Sequence, residues 1–177
     1  HVGYVGRALV GMRVLSFILV CRLLLENNVE SLLSELNFDN AWSDRSPIKV
    51  KNLLDHTSGL DNIRMWQLLS TKPLPNTPLE EAFESSQHNL LKIRTELGTQ
   101  YSYSNMGYTL LAMVIEAVTN ERYEYFLDVN LLTPLEMHDS SFAFISQRGQ
   151  FADPLLAMGY YENNVAQAAV PSYLRPA

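Results

Sequence analysis

Tyr103 and Asn105 stand in Tyr101-Ser102-Tyr103-Ser104-Asn105-Met106-Gly107-Tyr108, a polar turn that runs straight into an apolar segment. Residues two apart on extended chain point the same way. The spacing therefore predicts a phenol and a carboxamide side by side at a helix entrance. Such a pair suits acyl transfer: the phenol handles a proton and the amide holds a substrate carbonyl. A phenol with an ordinary pKa near about 10 needs a neighbouring cation to act as a base at neutral pH. None is adjacent in sequence. The competing reading is plain packing for Tyr103 and an N-cap role for Asn105.

Other side chains offer less. His1, His56, His88 and His138 lack ligand spacing and there is one cysteine, so no metal site and no internal disulfide are expected. Cys21 lies in an apolar run and reads as a buried thiol. The one literal Ser-x-x-Lys, Ser46-Pro47-Ile48-Lys49, sits in a loop, where Ser46 reads as an N-cap with Pro47 at the first helical position. Trp42 and Trp66 read as packing or as cleft walls.

The elements that must position the pair are mostly helical. Met106 to Val118 is apolar on nearly every face and predicts a central helix stopped by Asn120. Ile48 to His56 predicts a helix ended by Ser58-Gly59. A buried helix is expected from Arg7 to Glu26, and a short amphipathic turn or helix from Val29 to Leu36. Phe38 to Pro47 reads as loop, Asn62 to Leu69 as a short helix, and Lys72 to Asn76 as a connector. Thr77-Pro78-Leu79-Glu80 is a capping box opening a helix that runs to about Asn89. Leu90 to Arg94 reads as extended, Leu97-Gly98-Thr99 as a turn, and Arg122 to Leu131 as a helix closed by Pro134. Ser140 to Ile145 and Met158 to Tyr161 are the strand candidates.

The chain has 177 residues, enough for one domain with a core. A formal charge of −6 and 13 scattered Lys and Arg argue against nucleic acid as a partner. The apolar run Val14 to Cys21 is too short for a bilayer, which needs about 20 residues. The first residue is His1, and the chain reads as a piece of something longer, which leaves compartment and oligomeric state open.

Three ordered segments carry a resemblance. Ile48-Lys49-Val50-Lys51-Asn52-Leu53-Leu54-Asp55-His56-Thr57-Ser58-Gly59-Leu60 comes first, then the tyrosine segment, then Leu132-Thr133-Pro134-Leu135-Glu136-Met137-His138. Together they resemble the serine beta-lactamase-related family, which includes class C beta-lactamases, penicillin-binding proteins, D-amino acid peptidases and esterases. That family typically shows Leu-Leu-x-His-Thr-Ser-Gly-Leu, a Tyr-Ser-Asn segment opening a helix, and Pro-Leu-Gly-Met, where this chain has Glu136 in place of the Gly. Leu156-Ala157-Met158-Gly159-Tyr160 and Arg175-Pro176-Ala177 look like later landmarks, so the resemblance covers about residues 22 to 177.

The resemblance implies an acyl-serine mechanism on an amide or ester, of the beta-lactam or D-peptide type, with no cofactor and a small-molecule substrate. Tyr103 would be the catalytic proton relay and Asn105 the substrate-holding amide. It implies an α+β fold of the beta-lactamase/penicillin-binding-protein type. Residues 1–177 would form a partial domain, mostly α, with most of the antiparallel sheet missing and an apolar face left unpaired. An extracytoplasmic location goes with the family. The Ser-x-x-Lys element falls on Tyr4-Val5-Gly6-Arg7, so Tyr4 and Arg7 occupy the nucleophile slots. Arg does not deprotonate in proteins and cannot take a serine proton. The alternatives are therefore an inactive homologue acting as a binding or regulatory module, or a frameshifted or mis-assembled first stretch. A third motif, Lys-Thr-Gly or His-x-Gly, would lie beyond Ala177.

Overall fold

Ser104 starts the element around which the rest is packed. The computed structural model describes residues 24–62, 78–84, 89–143, 160 and 162–165. Within these, the long helix runs Asn105–Thr119, one residue longer at each end than its apolar pattern predicts. The Ser104 hydroxyl accepts a hydrogen bond from the Gly107 N–H at 3.3 Å and so caps the first turn. Asn120 closes the other end in the left-handed region, at φ 56°. Met106, Leu110, Leu111 and Ile115 are all but fully enclosed, so the helix is core on most of its faces.

Four short α-helices accompany it among the described residues. We number them with the long helix in chain order: α1 Val29–Leu32, α2 Val50–Leu54, α3 Glu81–Glu84, α4 Asn105–Thr119 and α5 Tyr123–Leu127. α1, α2 and α5 all pack on α4. α2 packs on the first turn of α4, where Gly107 faces Leu53; a Cβ there would meet the Leu53 carbonyl at 3.6 Å, an ordinary contact. Tyr108 ties the same two helices, its hydroxyl donating to the Leu54 carbonyl at 3.3 Å. Burial of Val29, Leu33, Ile48, Val50, Leu53, Leu60 and Leu127 beside α4 supplies the apolar stabilisation.

The strand content is slight. Isolated bridges pair Asn28 with Lys49, Asp39 with Lys92, and Leu60 with Ile93. The last two use the segment expected to be extended. Ser140 to Ala143 is a bend rather than the start of a strand. The Asp128 carboxylate holds it there, accepting from the Ser141 hydroxyl at 2.6 Å and the Phe142 N–H at 2.7 Å. Of the second strand candidate only Tyr160 is described, in an isolated bridge.

The expected helix from Arg122 to Leu131 is α only to Leu127, and Asp128–Leu132 widens into a π-helical turn. Ser46 does not cap α2; Lys49 stands at the N-cap, and Asn52 Oδ1 accepts from its N–H at 3.2 Å. Lys49 pairs with Glu26 at 2.6 Å. The helices expected at Arg7–Glu26 and Asn62–Leu69 fall largely outside the described residues, as do Cys21, Trp66 and the connector at 72–76. Trp42 packs against the core. Tyr125, Val129 and Leu135 expose large apolar side chains. No helix among the described residues is long and apolar enough to cross a membrane.

Candidate active site

The site is built from two stretches far apart in sequence. One is the ribbon 56–62, which follows α2; the other is the turn 98–105, which enters α4. Their backbones are stitched along their length. Ser102 N–H donates to the His56 carbonyl at 2.8 Å, Gly98 N–H to Thr57 at 2.9 Å, and Arg94 N–H to Gly59 at 2.8 Å. The Ser104 hydroxyl donates to the Asp61 carbonyl at 2.9 Å while it caps α4. This pairing fixes where Tyr103 and Asn105 sit.

His56 adopts φ 59°, which breaks the α2 path and opens the ribbon. His is one of the few residues enriched in that region. A network at the end of α2 holds the turn. Asn52, nearly fully buried, donates from Nδ2 to Thr57 Oγ1 at 3.0 Å, and the Asp55 carboxylate accepts from the Thr57 N–H at 3.0 Å and its hydroxyl at 2.6 Å. Gly59 is required by the same turn. Its φ is 71°, and a Cβ would lie 2.5 Å from the Thr95 carbonyl oxygen.

The His56 ring is the hub of an aromatic cluster. Its centroid lies 4.5 Å from that of Tyr103, 5.3 Å from Tyr108 and 5.8 Å from Tyr101. Its Nδ1 accepts from the Ser104 N–H at 3.3 Å. A backbone amide can only donate, so Nδ1 is the bare nitrogen and the neutral ring carries its proton on Nε2. The neutral imidazole is therefore a packing neighbour of Tyr103 in space and not the cation that a phenolic base needs.

Tyr103 and Asn105 do face each other. The phenol donates to Asn105 Oδ1 at 3.5 Å, a long and weak tie. Asn105 Nδ2 donates to Asn62 Oδ1 at 2.8 Å, and Asn62 Oδ1 also accepts from the Asn105 backbone N–H at 2.9 Å. Both site side chains are half-buried, held on one side and reachable from the other, and Tyr101 beside them is 70% exposed. Asn105 is the first residue of α4 rather than its N-cap; Ser104 takes that role.

Tyr4 and Arg7 lie outside the described residues. Asn62, His56 as a neighbour of the phenol, and Ser104 as a clamp were missed by the reading from residue types. Asn62 stands 43 positions from Asn105, and the only local cue was a polar pair, Asp61-Asn62, directly after the buried Leu60. Among the described residues no group of His, Cys, Asp and Glu is arranged to hold a metal.

Comparison with known proteins gives the family and the fold. The beta-lactamase family model matches residues 22–175. Protein flp of Staphylococcus aureus strain N315 is 27% identical over 137 residues, covering 77% of this chain and 26% of its own length. The chain therefore spans about a quarter of the curated relative it matches. Among solved structures, EstCE1, a hydrolase with promiscuous acyltransferase activity, is 25% identical with a TM-score of 0.55, covering 72% of this chain and 35% of its own. The penicillin-binding protein of Bacillus halodurans has a TM-score of 0.66 at 19% identity, covering 91% and 48%. The fold is thus the α+β beta-lactamase/penicillin-binding-protein type, of which the described residues are the mostly helical part. On the family match over residues 22–175, the chain belongs to the serine beta-lactamase-related family.

Proposed function

We propose that this chain carries the proton-relay and substrate-anchoring half of a serine hydrolase that opens an amide or ester by acyl transfer. Tyr103 is the relay and Asn105 the anchor. The observation that carries the reading is the placement of the phenol 3.5 Å from Asn105 Oδ1, at the mouth of α4, with both side chains half-buried.

The chemistry follows from the donors. Asn105 Nδ2 has two hydrogens, and Asn62 takes one. The other is left for a substrate carbonyl on the acyl side of the scissile bond. The Tyr103 oxygen takes the proton of an attacking serine hydroxyl and returns it to the leaving group. His56, packed against the phenol with the two rings tilted by 43°, fixes the ring. Similarity to EstCE1, a hydrolase with promiscuous acyltransferase activity, supports acyl transfer as the reaction type.

A fluorescent penicillin and a fluorophosphonate, applied to the full-length protein with mass-spectrometric mapping, test the reading. A labelled serine supports it, and no label on any serine counts against it. The 177 residues by themselves are expected to show no measurable beta-lactam hydrolysis; turnover of a chromogenic cephalosporin by them would overturn that.

A second reading is favoured by Tyr4 and Arg7, which stand where the family's Ser-x-x-Lys would fall. On it the protein binds without reacting. The double substitution Tyr4→Ser, Arg7→Lys separates the two. Hydrolysis that arises only in the substituted protein makes the natural one a pseudoenzyme.

A further inference from the structure

We infer that Asn62 is the positioning residue of the site: it fixes the rotation of the Asn105 carboxamide and so decides which atom of that amide meets a substrate. An Asn side chain can be turned over with little change in shape, exchanging a donor for an acceptor. For a residue meant to hold a carbonyl, the wrong rotation presents an oxygen to an oxygen.

The structure resolves the ambiguity through a chain of obligatory partners. The Asn105 backbone N–H can only donate, and it points at Asn62 at 2.9 Å, so Asn62 must present Oδ1 there. The group of Asn105 that lies 2.8 Å from the same oxygen must then be Nδ2. This puts Asn105 Oδ1 on the opposite side, where the Tyr103 hydroxyl donates to it at 3.5 Å. One oxygen on the 56–62 ribbon therefore sets the amide, and through the amide the face offered to the phenol. The same oxygen satisfies the first N–H of α4, which has no partner inside the helix. Ser104, clamped to the Asp61 carbonyl, keeps ribbon and helix in register so that the bond can form.

The test compares two substitutions of equal size and opposite chemistry. Asn62→Asp keeps an acceptor for both N–H groups; Asn62→Leu removes it. The first readout is the side-chain amide proton pair of Asn105 in the 15N-labelled full-length protein, assigned by its loss in Asn105→Asp. We expect one proton of the pair to be protected in the wild type and in Asn62→Asp. In Asn62→Leu its exchange with water should rise about two- to tenfold, the range one hydrogen bond of ordinary net strength represents. A purely structural role would alter the melting temperature without this proton-specific change and without rescue by Asp. An Asn105 pair that behaves identically in wild type and Asn62→Leu overturns the proposal. So does a folded Asn62→Asp protein with the unprotected pair, which covers the case in which Asn62→Leu fails to fold.

The second readout, hydrolysis of a p-nitrophenyl ester, rests on the acyl-transfer reading. There Asn62→Leu should raise KM or lower kcat/KM by about tenfold or more, with Asn62→Asp closer to wild type. Unchanged kinetics in an active Asn62→Leu protein overturn the proposal. Absence of turnover in every protein, with the amide protection pattern as expected, counts against the acyl-transfer reading and leaves the positioning role standing.

Discussion

Gly59→Ala should be far more damaging than Gly98→Ala, although both glycines sit in the left-handed region at nearly equal φ, 71° and 75°. The shared cost is the penalty for an L side chain there, about 1 kcal/mol. At Gly98 that is the whole cost, because an added Cβ meets nothing within 4 Å. At Gly59 the Cβ would lie 2.5 Å from the Thr95 carbonyl oxygen and 3.1 Å from both Ile93 Cγ2 and Thr95 Oγ1. Backbone cannot swing aside as a side-chain tip can, so the ribbon must part from residues 93–95. Overpacking of this kind costs about 1–3 kcal/mol. The bond from Arg94 N–H to the Gly59 carbonyl at 2.8 Å is strained with it. The expected losses are therefore about 1 kcal/mol for Gly98→Ala and about 2–4 kcal/mol for Gly59→Ala. Urea unfolding of both variants, compared at equal m, measures the gap. Losses that agree within about 0.5 kcal/mol would refute the claim that close ribbon contact, rather than φ alone, dictates Gly59.

Three further outcomes follow from the geometry. Ser104→Ala removes the α4 cap and the donor to the Asp61 carbonyl; it should cost about 2 kcal/mol in denaturant unfolding, and a loss below about 0.5 kcal/mol would contradict its double role. Glu136 adopts φ 54°, where the family pattern has Gly, so Glu136→Gly should raise stability by about 0.5–1 kcal/mol, and a fall in the unfolding midpoint would be the opposite result. Hydrogen bonds from Lys49 and Lys51 hold the Glu26 carboxyl down from 4.5 to about 2. That contribution is present above pH 4.5 and is lost as pH falls toward 2, so wild type should lose stability relative to Glu26→Gln across this window, less so in high salt. A stability difference that stays flat from pH 5 to 2 would contradict the pairing.

How much of this was legible in the sequence depended on range. α4 could be read because Leu110, Leu111, Met113, Val114 and Ile115 leave it no polar face, and a helix of that kind must be central. The shared direction of Tyr103 and Asn105 followed from strand-like alternation over two residues. The cap did not: Ser104 and Asn105 are both good caps locally, and only the Asp61 carbonyl, 43 positions away, selects Ser104. Asn62 and His56 were invisible as site residues for the same reason, since no local pattern says which distant polar group a turn will meet. Over Ser140 to Ala143 a bend replaces the expected strand, because the Asp128 carboxylate captured the Ser141 hydroxyl and Phe142 N–H; the remainder of that strand, to Ile145, lies outside the described residues. The π-helical turn at Asp128–Leu132 left no mark in the apolar periodicity.

The acylation rate of the full-length protein by a fluorescent penicillin or a p-nitrophenyl ester, with Tyr103→Phe set against wild type, bears most directly on the central claim. If the natural protein does not react, the same comparison is made in the Tyr4→Ser, Arg7→Lys background. Removing the phenolic oxygen should slow acylation by about a hundredfold or more, the scale of a lost proton relay, with little change in substrate affinity. A Tyr103→Phe protein that acylates as fast as its parent would show that the phenol at the mouth of α4 moves no proton.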